Sequence, residues 1–268
     1  PKTANVGSSI PGTVSNVRYN GSATAPTNAG TYAITADFVP SNTTNFSTLN
    51  SASAGNFVIQ KTGTPTLSVS NSPVTYDGTP KAATVVGSVA GTVSNVKYNG
   101  SATVPTGAGT YVITADFVPT NANLNSVVGA AAGSFTVAKA ATVTTLDCGA
   151  GTFPYTGAAL TPCTATVTGA GGLNQSVAVT YVGNVDVGTA AVNAKYAGSA
   201  NYLASSAVDA GVIDKAPTTT VVTCAPGPFT VPGGAIEPCT AVVTGPGGLS
   251  QSLAVVYSNN VAVGTASA

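Results

Sequence analysis

The 268-residue chain has no histidine, no methionine and no tryptophan, and only 6% of its residues are charged. Each shortage excludes something. Without His there is no side chain that titrates near neutral pH unperturbed, no common general acid–base and no imidazole to complete a zinc site. Without Trp, the ring that most readily stacks on a sugar is missing. An ordinary soluble domain is about 25% charged. Here Lys plus Arg and Asp plus Glu number eight each, so no cluster of cations awaits DNA, RNA or an anionic membrane. No Met opens the chain, which reads as a processed form or as an interior window of something longer.

What remains is apolar residues at 43%, with 31 Gly and 17 Pro. That apolar share is too high for a disordered linker. The longest apolar stretch, "VVGAAAGSFTVA" from Val127, is too short and too Gly-rich for a membrane span.

The strongest positive signal is repetition. "YNGSATAPTNAGTYAITADFVP" begins at Tyr19, and "YNGSATVPTGAGTYVITADFVP" begins 79 residues later at Tyr98. Lys61, Lys139 and Lys215 each end an apolar run and precede a Thr-rich stretch, at spacings of 78 and 76. Units of this length suit a small β-sandwich. Boundaries are expected at 1–62, 63–140, 141–216 and 217–268. The first unit reads as incomplete at its N-terminal end and the last at its C-terminal end. Strand exchange with a neighbouring chain is the alternative to a window cut from a longer array.

Within a unit the periodicity is that of strands. Tyr32, Ile34, Ala36 and Phe38 alternate with Ala33, Thr35 and Asp37, and Tyr111, Ile113, Ala115 and Phe117 repeat the pattern. "GNFVIQK" and "GSFTVAK" supply a closing strand before their junctions, and Asn20-Gly21, Asn99-Gly100 and "YDG" at Tyr76 mark turns. No apolar residues recur at helical spacing. The third and fourth units form a second subtype. The 27 residues from Cys163 match those from Cys239 at 19 positions, and Tyr181 falls where Tyr98 does. Tyr155 in "YTGA" has no counterpart at Val231 in "VPGG".

Cys148 and Cys163 are 15 apart, and Cys224 and Cys239 repeat that spacing. The repeat pairs Cys148 with Cys163 and Cys224 with Cys239, so that each unit carries its own bridge. A Cys-x-x-Cys metal or redox motif does not fit. Structural disulfides imply an oxidising, extracytoplasmic address.

Chemistry is otherwise hard to find. The acids are Asp37, Asp77, Asp116, Asp147, Asp186, Asp209, Asp214 and Glu237, scattered at about two per unit. Asp37 and Asp116 fall on the wet face of their strands and read as solvated surface charges. No unit offers a glycosidase-like carboxylate pair or a calcium run such as Asp-x-Asp. "GAGG" at Gly169 and "GPGG" at Gly245 lack the Lys of a phosphate loop and read as tight turns. Sequons at Asn20, Asn42, Asn45, Asn99 and Asn174 are common by chance in such a composition. Lys195 takes the place of Asp116 on an outward site, which argues against a Lys–Asn cross-link. No catalytic, cofactor or metal residue is expected, and an enzyme is not expected.

"VTYDGTPKAATV", "VKYNGSATVPTGAGTYVITADF" and "FTVAKA" resemble the MBG domain, a bacterial Ig-like repeat of large surface proteins. The third and fourth units, with "FPYTGAALTPCTATVTGAGGLNQSVAVTY" and "KYAGSANYLASSAVDAGVIDKA", resemble related Ig-like repeats of secreted multidomain proteins. The resemblance implies an all-β chain of tandem immunoglobulin-like β-sandwiches in an elongated rod. It also implies an extracellular or cell-surface location in a stalk, adhesin or fibre that provides length and durability. Expected partners are neighbouring repeats of the same or an identical chain, as in a filament. The alternatives are a glycan- or protein-binding module, with Tyr202 its exposed aromatic, and a spacer of a larger secreted enzyme. Neither nucleic acid nor a membrane span is expected.

Overall fold

The computed structural model describes every residue except Ala150, Val231 and Pro232, so the comparison of Val231 with Tyr155 lies outside the described residues. The chain divides into two compact units, Pro1–Ala138 and Lys139–Ala268. Both are built from strands and turns. Among the described residues the helical elements are two three-residue 3₁₀ turns, and no helix is long and apolar enough to cross a membrane.

The first unit opens with β1 (Gly12–Tyr19), β2 (Gly30–Pro40) and β3 (Leu49–Ile59), an antiparallel sheet in the order β1-β2-β3. It continues with β4 (Leu67–Val69), β5 (Val74–Thr75), β6 (Val85–Gly87), β7 (Gly91–Tyr98), β8 (Gly109–Pro119) and β9 (Val127–Ala138). β4 pairs with β6, and a second sheet runs β5-β9-β8-β7 with β5 parallel to β9. The apolar run from Val127 is therefore a strand, 12 residues long.

The expected alternation holds along β8. Ile113, Ala115 and Phe117 are at most 1% exposed, and with Phe135 and Val137 of β9 and Leu67 of β4 they form one core. Val69 and Val85, from the β4–β6 pair, pack on that core from the other side. Two layers with apolar faces inward make a β-sandwich. Tyr98 meets Phe135 edge to face at 6.3 Å, and Tyr19 meets Phe57 likewise at 6.0 Å.

The turns follow their residues. Asn20 and Gly21 have φ of 46° and 83°, and Asn99 and Gly100 have 48° and 84°. Each pair sits in a two-residue turn closed by bonds between Tyr19 and Ser22, or Tyr98 and Ser101. Asn and Gly are the residues that tolerate positive φ at both central positions.

The second unit holds β10 (Thr142–Asp147), β11 (Thr152–Pro154), β12 (Thr164–Gly169), β13 (Leu173–Ser176), β14 (Val179–Val182), β15 (Gly188–Tyr196) and β16 (Ser205–Asp214). They form two sheets, β10-β12-β13 and β11-β16-β15-β14. Val167 from one sheet, and Val192, Ala194 and Ile213 from the other, are buried. Thr144 of β10 is buried too, its hydroxyl 2.7 Å from that of Ser205 in β16. β17 (Thr219–Cys224), β18 (Cys239–Gly245) and β19 (Leu249–Leu253) make a further sheet in chain order. The "GAGG" and "GPGG" motifs are the 3₁₀ turns Ala170–Gly172 and Pro246–Gly248, joining β12 to β13 and β18 to β19.

Candidate functional site

In a chain whose reactive side chains are scattered, the arrangements that recur are those that hold layers together. Among the described residues, no three Cys, Asp or Glu side chains gather as a metal site requires. Two connections recur instead.

The first is a tyrosine pin. Tyr19, at the end of β1, accepts the Ala4 N–H on its hydroxyl at 2.8 Å, and Tyr98, at the end of β7, accepts the Ala83 N–H at 2.9 Å. Tyr181 of β14 accepts the Cys163 N–H at 2.8 Å and donates to the Cys163 carbonyl; Tyr257 does the same at Cys239. A phenol can both accept and donate, so one side chain satisfies backbone groups that no ladder pairs. The Tyr98 ring belongs to the buried core of its repeat and the Tyr181 ring packs beside Val192, while each hydroxyl holds a backbone segment 15 or 18 residues away in sequence.

The second is a carboxylate clamp. β2 is the middle strand of its sheet, and both neighbours slip register beside it, between Ser15 and Arg18 on one side and near Thr35–Phe38 on the other. Each slip is a β-bulge, which leaves backbone groups unpaired. Asp37 stands between them, accepting from the Asn16 amide at 2.6 Å and from the Ser51 N–H at 2.7 Å. Asp116 repeats the arrangement with Asn95 at 3.1 Å and Gly129 N–H at 2.7 Å. Asn16, Ser51, Asn95 and Gly129 all have positive φ.

A family model for the MBG domain matches residues 1–63 and 65–141. The chain belongs to the MBG domain family. No curated protein and no solved structure matches it. Both clamps lie in the matched MBG repeats, so the pair Asp37 and Asp116 is a feature of those repeats in this chain.

The clamps also favour the ionised form of these acids. The Asn16 amide, then the Ser51 N–H, hold the Asp37 carboxyl below the ordinary carboxylate range, with Arg18 helping. The Gly129 N–H, then Asn95, do so for Asp116. Asp77, in the turn after Tyr76, is held well below that range by Lys81, with which it forms an ion pair, and by Thr79. Asp37 and Asp116 are thus engaged structural acceptors and not free surface charges. The slip that creates their donors depends on pairing with distant strands, which spacing along one strand does not reveal.

The disulfides are Cys148–Cys163 and Cys224–Cys239. Cys224 lies directly opposite Cys239 in the β17–β18 register, and Cys148 and Cys163 flank the last pair of β10 and β12. Each bridge therefore joins adjacent antiparallel strands, with Cα atoms 4.1 and 3.9 Å apart. The first is buried beside Val192; Cys224 is exposed.

Tyr202 is half-buried and its hydroxyl donates to the Ala170 carbonyl at 2.7 Å, so the aromatic singled out for sugar stacking braces a turn. Lys195 is exposed on β15, as its outward position suggests. A cavity of about 710 Å³ lies among Phe229, Ile236, Tyr257 and Val263. Beside Phe153, Leu160 and Tyr181, where Val192 and Ile213 also line the space, the cavity is only about 10 Å³.

Proposed function

We propose that this chain is a structural segment of tandem Ig-like repeats outside a bacterial cell, giving a surface stalk, adhesin or fibre its length and durability. The observation that carries this reading is the tyrosine pin, at Tyr19, Tyr98, Tyr181 and Tyr257. The same brace is built each time, whereas a binding or catalytic site is normally assembled once from unlike residues. Two disulfides support an oxidising, extracytoplasmic location. A surface of Thr, Ser and Asn with few charges suits it too, since such a surface responds little to salt. On this reading the chain is not an enzyme, and its partners are neighbouring repeats of the same or an identical chain.

Electron microscopy of the isolated chain at low and high concentration tests the proposal. Thin rods at both concentrations support a stalk segment, and filaments with a regular axial repeat support a fibre. Compact globules at both would sink it.

A further inference from the structure

The loop between β8 and β9 makes contacts that its own repeat does not need. Within it, Asn121 accepts the Asn123 N–H on its side chain at 3.0 Å and the Leu124 N–H on its carbonyl at 3.1 Å. That local turn aims the following residues at the segment joining the first and second repeats. The Asn123 carbonyl accepts the Thr62 N–H at 2.7 Å. Asn125 donates its backbone N–H to the Gly63 carbonyl at 3.1 Å, and its side-chain amide reaches the same carbonyl and the Thr64 hydroxyl. Gly63 has a φ of 84°, and Leu124 packs beside it.

One side chain goes further. The Asn123 amide oxygen accepts the Ala29 N–H of the first repeat at 2.6 Å, and its amide nitrogen donates to the Asn28 side-chain oxygen at 3.4 Å. Asn123 therefore holds the first repeat through its side chain and the linker through its carbonyl. The linker half of this arrangement recurs in the second unit. There the Asn201 carbonyl accepts the Ala140 N–H at 2.9 Å, and the Ala140 carbonyl accepts the Leu203 N–H at 2.9 Å.

We propose that the Asn121–Asn125 loop locks the joint between the first and second repeats, and that Asn123 is the residue that keeps it in one orientation. A linker tied only at its ends can swivel, because a few backbone torsions there redirect everything beyond them. Three hydrogen bonds converging on one amide residue remove that freedom. Asn is suited to the role because a single planar group offers an acceptor to the Ala29 N–H and a donor to Asn28. The inference concerns the joint alone and stands whether or not the repeats serve as a stalk.

The test uses the full chain with its disulfides intact and spin labels at Thr13→Cys and Thr92→Cys, exposed equivalent positions on β1 and β7. Pulsed electron resonance should read one narrow distance in the parent. Asn123→Ala should broaden or split it. Asn123→Asp, which keeps the acceptor for Ala29 and can accept from Asn28 once that side-chain amide turns its NH2 inward, should leave it narrow. An Asn123→Ala distance as narrow as the parent's overturns the proposal, as does an Asn123→Asp distance as broad as that of Asn123→Ala. A second measurement needs no variant. In the native chain the Ala29 and Thr62 amides should exchange with solvent much more slowly than free-peptide amides, and exchange at the free rate also overturns it.

Discussion

Removing one oxygen at Tyr98 separates the two jobs of the tyrosine pin. Tyr98→Phe keeps the ring against Phe135 but leaves the half-buried Ala83 N–H without its acceptor. A typical net hydrogen bond contributes about 0.5–1.5 kcal/mol, and a stranded buried donor costs about 1–3. Ala83 keeps some access to water, so the loss should be about 1 kcal/mol. Tyr98→Ala removes the ring as well and should cost about 3–5 kcal/mol, as other large-to-small aromatic changes in a core do. A chain of several repeats does not unfold in one step, so a single melting curve would blur the two effects. Native-state hydrogen exchange resolves them locally. The amides of Ile113 and Phe135 should exchange about 5 times faster in Tyr98→Phe and about 100 times faster or more in Tyr98→Ala, at about 1.4 kcal/mol per factor of ten. The amides of Val167 and Val192, in the other unit, serve as the internal reference. If Tyr98→Phe matches the parent, the hydroxyl does nothing; if it matches Tyr98→Ala, the ring packing has been misjudged.

Asp37, Asp77 and Asp116 bind their protons more weakly in the fold than in the unfolded chain. Their stabilisation is therefore fully present above the unfolded carboxylate value of about 3.9 and is lost as pH falls through the lower folded values. The temperature at which the Ile34 and Ile113 methyl resonances melt should be flat from about pH 5 to 8 and drop in acid, less steeply in an Asp37→Asn, Asp116→Asn double variant; a step near neutral pH would contradict this. Replacing Cys148 and Cys163 together by Ser should cost about 3 kcal/mol and speed exchange at Val167 by about two orders of magnitude. With rising thiol, the exposed Cys224–Cys239 bridge should be alkylated before the buried Cys148–Cys163 bridge, which peptide mass spectrometry reads directly. Gly91→Ala places a methyl against the Phe117 ring and 2.5 Å from the Val118 carbonyl. It should cost about 1–3 kcal/mol by overpacking, seen as faster exchange at Ile113.

The readable parts of this fold are those encoded by neighbours in sequence. Alternation along "GTYVITADFVP" places Ile113, Ala115 and Phe117 inside, because a strand turns every second side chain to the same face. Asn20-Gly21 and Asn99-Gly100 carry their turns in their own backbone preferences. The cysteines are legible because the spacing is repeated. Hydrogen-bond partners set by strand register are not. Tyr98 could be assigned to the core from its pattern, but nothing near it names Ala83 as its donor. Tyr202 reads as exposed from its sequence because its acceptor, Ala170, lies 32 residues away in a Gly-rich turn. Asn123 carries no signal at all, since its side-chain partners, Asn28 and Ala29, belong to the preceding repeat.

The exchange of Asp116 for Lys195 shows how far one such position depends on its surroundings. In the first two repeats the central strand is flanked by bulges, and the groups they free are donors, the Ser51 or Gly129 N–H and an Asn amide. An acid answers donors; an ammonium, which has no acceptor, cannot. A lysine in the same place would leave those N–H groups facing a cation. In the third repeat, β14 pairs with β15 and β15 with β16 without any shift in register. The ladder uses its own donors, and no acid is needed at residue 195. What the third repeat has instead is a covalent bridge between neighbouring strands, Cys148–Cys163, beside Val192 in the core. Acid with bulges and lysine with a continuous ladder are each self-consistent, whereas a swap at either site alone is not. The tyrosine pin, whose backbone partner exists in both arrangements, is the connection that both subtypes keep.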